Sequence, residues 1–355
     1  MSKVPAIANL KTVEWVRGHV RMIDQTRIPE RLVYVNMQNY RQVAKAIETM
    51  VVRGAPAIGA AAAMGMALAA NTCKSKPRER SLRDLEVAAK VLGSSRPTAW
   101  NLFWAIDRMM RKAYECQGSG RQIALAMVEE AQRIAEEDIA VNHRIGEFGA
   151  SLLTDGDQVL THCNAGTLAT VSYGTALAPI RTAIAQGKKV SVIADETRPR
   201  LQGAKLTSYE LLHDGIPVTL IVDGAAGYVM KIGMVQKVIV GADRITRKYV
   251  ANKVGTYMIA LAARTNNIPF YVAAPTSTFD LGNGSGDVKI EERDQGEVTQ
   301  IAGKRIPPRG VHVFNPAFDL TPLDLVQGLI TERGVIAPTS WEDVKSSLRQ
   351  ERVSS

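Results

Sequence analysis

Five short apolar runs constrain this chain more than any other feature. They are Gln158-Val159-Leu160, Val190–Ala194, Val218–Val222, Val238–Val240 and Phe270–Ala274. Each ends in polar or turn-forming residues: Thr161-His162-Cys163-Asn164-Ala165-Gly166-Thr167, Asp195-Glu196-Thr197-Arg198, Asp223-Gly224, Gly241-Ala242-Asp243 and Pro275-Thr276. β-Branched runs of this length, separated by helix-length segments, predict βα units and a parallel sheet. Open sheets of that kind bind ligands beyond the carboxyl ends of their strands. Cys163 and Asp243, distant in sequence, are therefore expected to project toward one crevice. The segment after Cys163 is expected to be a helix.

Upstream of these runs the pattern is helical. In Tyr40–Val51, Val43, Ile47 and Met50 form one apolar face. That helix runs into Arg53-Gly54-Ala55-Pro56, where Pro56 suits the first turn of a second helix. Gly54 would let the backbone approach a ligand, and the N–H groups there would attract an anion; a tight interhelix turn with a surface Arg53 explains the same residues. The Ala/Gly-rich stretch from Ala55 to Ala70 is too short and too weakly apolar to span a bilayer and reads as a buried helix. Arg96 precedes Pro97, which places it on an extended corner ahead of a helix through Met110. After Gly118-Ser119-Gly120 a long, polar-faced helix runs to about Phe148. The expected organisation is a mainly helical domain with short strands over residues 1–125, a connecting helix over 126–150 and a Rossmann-like domain over 151–355. Gly282–Gly286 reads as a flexible loop, Val311–Phe314 as a last strand, and the residues after Pro338 as a terminal helix or tail.

A length of 355 residues suits two domains, each able to bury a core. Cys73, Cys116 and Cys163 are odd in number and widely spaced, which excludes a disulfide framework or a cysteine zinc site and suits a reducing cytoplasm. No signal-peptide core interrupts the charged start. The net charge of +9 is spread among alternating acids and bases, so it points to an anionic substrate rather than nucleic acid or a membrane. The five histidines show no zinc-binding spacing, and neither a P-loop nor a dinucleotide fingerprint follows any strand. No metal or cofactor is expected.

Several groups could do chemistry. An isolated Cys is commonly an inert small hydrophobe, but at a strand end before a helix Cys163 could be a base, a nucleophile or a stabiliser of charge. The same helix start could cradle a phosphate through the N–H groups around Gly166 and Thr167. Asp243 could cap a helix or act as a general acid, for which an apolar surround would have to raise its pKa. The loop Asp195–Gly203 gathers two carboxylates, two guanidiniums, Pro199 and the Gln202 amide. Its charges either pair with one another or hold a polyol phosphate. Asn252-Lys253, before the expected helix Val254–Arg264, adds an amide and a cation.

Nine stretches resemble one family. They are Val51–Gly59, Arg96-Pro97-Thr98 with Asn101–Ala105, Thr161–Gly166, Asp195–Gly203, Gly241–Ile245, Asn252-Lys253 with Gly255-Thr256-Tyr257, Pro269–Pro275, Ile290–Asp294 and Asn315–Asp319. The family is S-methyl-5-thioribose-1-phosphate isomerase, within the superfamily that includes the α, β and δ subunits of translation initiation factor 2B. The resemblance implies an aldose–ketose isomerase of methionine salvage, a helical N-terminal and a Rossmann-like C-terminal domain, and a homodimer. It implies Cys163 and Asp243 as the catalytic pair, with Asp243 the proton donor. It also implies substrate contacts from Arg53, Gly54, Ala55, Arg96, Gln202, Asn252 and Lys253. Ribose-1,5-bisphosphate isomerase and a non-catalytic initiation factor 2B-like subunit are the alternatives. The chain departs from the expected pattern at Gly224 after Asp223 and in the basic run Thr246–Tyr249, which flanks Asn252.

Overall fold

The computed structural model describes residues 6–282 and 288–349. By compactness they form two units, Met1–Arg144 with Ala165–Ala178, and Ile145–Asn164 with Pro179–Ser355. A purely linear division at about residue 150 puts Ala165–Ala178 in the second unit. Hydrogen bonds assign it to the first: Thr12 Oγ1 donates to the Thr167 carbonyl at 2.7 Å, Gln25 Nε2 to the Leu168 carbonyl at 2.7 Å, and the Val171 N–H to Asp138 at 2.7 Å.

The first unit opens with a three-stranded antiparallel sheet of β1 (Val13–Val16), β2 (His19–Ile23) and β3 (Tyr34–Met37) in that order. Helices α1 (Tyr40–Glu48), α2 (Ala55–Cys73), α3 (Arg78–Ser94), α4 (Trp100–Glu115) and α5 (Gly120–Ala150) follow, the last of them counted in the second unit from Ile145 onward. Asn39 caps α1 by accepting the Gln42 N–H at 3.0 Å, and Val43 and Ile47 are buried as their spacing requires. The helix stops at Glu48, short of Val51. Met50 turns into the left-handed region at φ 60°, and the Thr49 hydroxyl bonds back to the Lys45 carbonyl at 2.7 Å. α2 is long and apolar enough to cross a membrane by length and composition, yet 83% of that window is buried inside the structure, where α1, α3 and α4 pack on it. Its Ala and Gly side chains allow that approach from several sides: a methyl group on Gly65 would meet Leu92 and Val43 within 3.2 Å.

The second unit is built on a seven-stranded sheet of β4 (Gln158–Thr161), β5 (Ser191–Asp195), β6 (Val218–Ile221), β7 (Lys237–Val240), β10 (Phe270–Ala273), β14 (Gly328–Thr331) and β15 (Gly334–Ile336). The order is β15-β14-β10-β7-β4-β5-β6, parallel except for β15. Counted along the chain, its six parallel strands stand 3-2-1-4-5-6, the doubly wound Rossmann-like order. All five apolar runs are strands of this sheet. Helices α6 (Ala178–Ala185), α7 (Ser208–His213), α8 (Ala226–Lys231) and α9 (Thr256–Thr265) connect them. A second sheet, β13-β9-β8, joins β8 (Arg244–Ile245), β9 (Tyr249–Lys253) and β13 (Phe318–Pro322), and β11 (Gln300–Ile301) pairs with β12 (Lys304–Arg305). Val311–Phe314 is not a strand: Val311 and Phe314 are exposed, no strand among the described residues pairs with them, and β13 begins later at Phe318. The terminal helix expected after Pro338 is α10 (Trp341–Arg349). Most of the expected Gly282–Gly286 loop lies outside the described residues.

Candidate active site

The strand order reverses between β4 and β7, which are hydrogen-bonded neighbours with Leu160 opposite Val238. Cys163 follows the end of β4 and Asp243 follows the end of β7. The switch point of a doubly wound sheet, where a crevice opens past the strand ends, therefore lies between these two residues.

Cys163 has φ 65°, a left-handed conformation that costs a non-glycine residue roughly 1–3 kcal/mol. Two threonines hold it there. The Cys163 N–H donates to Thr197 Oγ1 at 2.9 Å, and Thr207 Oγ1 donates to the Cys163 carbonyl at 2.6 Å. The next residue is fixed as well: Asn164 Nδ2 donates to Glu210 at 2.9 Å, and Glu210 accepts from the buried Arg181 at 2.8 Å. Arg181 also reaches Asp214 at 2.6 Å. Burial alone would lower the Arg181 pKa, but the two carboxylates outweigh it and raise it. The helix expected after Cys163 does not form. A single 3-10 turn, Thr167–Ala169, is followed by a bent, non-helical chain until α6 begins at Ala178. Helix-dipole activation of the thiol and a phosphate cradle at that helix therefore drop out, because these residues serve as a segment of the first unit instead.

In the loop after β5 both guanidiniums reach the segment that holds Glu297 and Val298. Arg200 pairs with Glu297 at 2.7 Å, and Arg198 donates to the carbonyls of Pro199 at 3.1 Å and Val298 at 2.9 Å. The loop is held instead by Asp223, which accepts the N–H groups of Thr197 and Arg198 at 2.7 Å each. Burial first, then the charges of Asp223 and Asp195, raise the Glu196 pKa against the opposing pull of Arg198. Gln202 is buried, and its Oε1 has no hydrogen-bond partner among the described residues. A π-helical turn, Gly203–Thr207, follows it, a form common at functional sites. Gly203 can only be glycine, since a Cβ there would lie 1.7 Å from the Asp195 carbonyl oxygen.

Asp243 caps no helix. Its N–H donates to the Ala251 carbonyl at 2.9 Å, which docks it on β9, and it is half-buried. Among the described residues its carboxylate has neither hydrogen bond nor ion pair. Asn252 and Lys253 end strand β9 rather than start a helix. Asn252 Nδ2 donates to Thr256 Oγ1 at 3.0 Å, and the buried Lys253 reaches the Ala317 carbonyl at 2.7 Å and lies over the Phe318 ring at 5.0 Å. Gly255, at φ 107°, turns the chain into α9, and Asp319 accepts its N–H at 2.7 Å.

Arg53, Gly54, Ala55 and Arg96 belong to the first unit, whereas Cys163, Gln202, Asp243, Asn252 and Lys253 belong to the second. Arg53 is buried and donates to Gln25 Oε1 at 3.1 Å. Gly54, at φ 91°, is required by its own chain: a Cβ there would lie 2.4 Å from Ala169 Cα. Ala55 opens α2, and Arg96 lies between α3 and α4.

Sequence reasoning passed over the residues that build the Cys163 turn. His162 and Asp195 are buried and 2.6 Å apart, and Thr197 donates to Asp195 at 2.7 Å. The only sequence signal was the crowding of polar residues at two strand ends. His162, Asp195 and Asp223 bring three possible metal-ligand atoms within 4.8 Å of one another. Hydrogen bonds already engage them: both ring nitrogens of His162 face acceptors, and both oxygens of Asp223 accept N–H groups. Cys73, Cys116 and Cys163 form no disulfide.

The chain matches the model of the Initiation factor 2 subunit family over residues 51–338. It is 54% identical over 336 residues to a protein of Thermosipho africanus named methylthioribose-1-phosphate isomerase, covering 94% of this chain and 97% of that one. A solved structure of 5-methylthioribose 1-phosphate isomerase from Pyrococcus horikoshii superposes with a TM-score of 0.87 at 44% identity, covering 97% and 96% of the two chains. A structure named translation initiation factor eIF-2B, subunit delta, from A. fulgidus gives 0.85 at 48% identity, covering 96% and 100%. The chain belongs to the Initiation factor 2 subunit family, with relatives of similar length named methylthioribose-1-phosphate isomerase.

Proposed function

We propose that the protein is an aldose–ketose isomerase that converts S-methyl-5-thio-α-D-ribose 1-phosphate to S-methyl-5-thio-D-ribulose 1-phosphate, a step of methionine salvage. The observation that carries this reading is a free thiol and a carboxylate just past the ends of the two strands that flank the sheet's switch point, in a chain whose relatives carry that name.

The substrate's phosphate blocks its anomeric oxygen, so a free aldehyde cannot form by simple ring opening. Asp243 is proposed as the acid that protonates the ring oxygen, a role worth roughly 10²–10⁴-fold in rate. Its half-buried carboxylate, without a partner among the described residues, suits a group that meets a ligand. Transfer from C2 to C1 then has two routes. In the enediol route Cys163 removes the C2 proton and the proton returns at C1. In the hydride route the hydrogen moves with its electron pair, and Cys163 stabilises the charge that develops. Gln202, Asn252 and Lys253 in the second unit, and Arg53, Gly54, Ala55 and Arg96 in the first, are proposed as substrate contacts that orient the sugar phosphate. The buried, unsatisfied Gln202 Oε1 supports that role most directly.

A homodimer is part of the proposal. The outer strand β6 and helices α8 and α9 expose Leu220, Tyr228, Ile232, Met258 and Leu261, an apolar set that a second copy would cover.

Turnover of 5-methylthioribose 1-phosphate beside ribose 1,5-bisphosphate tests the reading. Ketose formed from the methylthio sugar supports it, and turnover of only the bisphosphate reassigns the substrate. The second reading, a regulatory subunit without catalysis, is favoured by the name of the A. fulgidus structure, and turnover of neither sugar would give it the lead.

A further inference from the structure

The His162 ring is buried between two acceptors. Its Nδ1 lies 2.6 Å from Asp195 Oδ2, and its Nε2 lies 3.0 Å from the Val254 carbonyl oxygen. A carbonyl has no proton to give. The other Asp195 oxygen already accepts the Thr197 hydroxyl at 2.7 Å. Against an ionised Asp195, a neutral imidazole, which carries one N–H, would set a bare nitrogen lone pair against an acceptor out of reach of water. An imidazolium satisfies both neighbours.

We propose that His162 is a positioning residue held as an imidazolium, whose two N–H groups tie the Cys163 turn to the end of the Asn252–Lys253 strand. The donors converge on Asp195 from two sides. The Cys163 N–H donates to Thr197 Oγ1, Thr197 donates to Asp195 Oδ1, His162 Nδ1 donates to Asp195 Oδ2, and His162 Nε2 donates to Val254. Asp195 is the hub, and β4, β5 and the chain after β9 are joined at one point. Three acids face the ring: Asp195, Asp223 and Asp319. Burial works against the charged ring, but Asp195, Asp223 and the Val254 carbonyl outweigh it and raise the pKa. Gly255 leaves room for this ring, because a Cβ there would stand 3.0 Å from its Cε1. The reason for tying these ends together rests on the proposed isomerase; the protonation state does not.

The test is a two-bond ¹H–¹⁵N spectrum of the full-length protein labelled in its imidazole nitrogens, recorded from pH 6 to 8, with His162→Asn to assign the signal. The expected result is that both His162 nitrogens stay protonated across the range. One bare His162 nitrogen at pH 7, with or without added Zn²⁺, would overturn the proposal. Kinetics separate positioning from mere structure. His162→Asn can still donate toward Asp195 and is expected to raise KM about tenfold with kcat nearly kept; His162→Gln can still donate toward Val254 and is expected to do the reverse. Equal losses in both variants would overturn the positioning role. If the wild type turns over no sugar phosphate, the isomerase reading fails while the spectrum still decides the protonation state.

Discussion

Cys163 and Asp243 stand past the ends of neighbouring strands of one sheet, and the chain holds them in opposite ways. Around Cys163 the backbone is forced into a left-handed turn and clamped by Thr197 and Thr207. Asp195 and Asp223 hold Thr197, and Glu210 holds Asn164, the next residue in the chain. Asp243 has one backbone tie, to Ala251, and a carboxylate with no partner among the described residues. A thiol that must face one carbon of a sugar tolerates little misplacement, since an error of about 1 Å can cost about 10²-fold in rate. An acid that must meet a ligand oxygen is useful only if no protein group occupies it. Rigidity is concentrated on one strand end and availability on the other.

The largest effect expected from breaking the clamp is at Gly203. Gly203→Ala drives a methyl group into the Asp195 carbonyl, and the loss of stability should exceed about 3 kcal/mol, read as a collapse of the melting transition or as insoluble protein. Thr197→Val removes an acceptor from Cys163 and a donor from Asp195 without opening a large cavity. It should lower kcat roughly tenfold and cost about 1–2 kcal/mol of stability in a denaturant titration.

Asp138 sharpens the contrast between a partnered carboxylate and Asp243. It is half-buried, accepts from the Val171 N–H at 2.7 Å and from Asn142 at 3.0 Å, and desolvation of its carboxyl pushes its pKa up to about 7 despite those bonds. The folded protein keeps a proton there that the unfolded chain releases near pH 4. Its stabilising contribution is complete below about pH 4 and lost as pH rises through about 7. Asp138→Asn should therefore raise Tm by a few degrees at pH 8 and leave it nearly unchanged at pH 4, measured by thermal melts at both values. At the small end, Arg200→Gln breaks only the partly exposed pair with Glu297. It should change stability by less than about 1 kcal/mol and leave kcat unaltered.

Much of the second unit was legible because buried parallel strands read as continuous apolar runs, and all five found in the sequence are in the sheet. Strand β9 was hidden because Asn252 and Lys253 pair with Asp319 and Phe318, far along the chain, so neither looks like sheet alone. The helix expected after Cys163 failed because Leu168, Ala169 and Val171 are apolar for packing in the first unit rather than along a helical face. Cys163 and Asp243 could be picked out from strand ends and residue type. The roles of His162, Asp195 and Asp223 could not, since each depends on a partner from another strand.

The most direct test of the central claim is the rate of ketose formation from 5-methylthioribose 1-phosphate by the wild type, Cys163→Ala and Asp243→Asn, with folding checked by circular dichroism. The account predicts turnover by the wild type and a loss of at least about 10²-fold in each folded variant. Retention of wild-type turnover by either folded variant would contradict it.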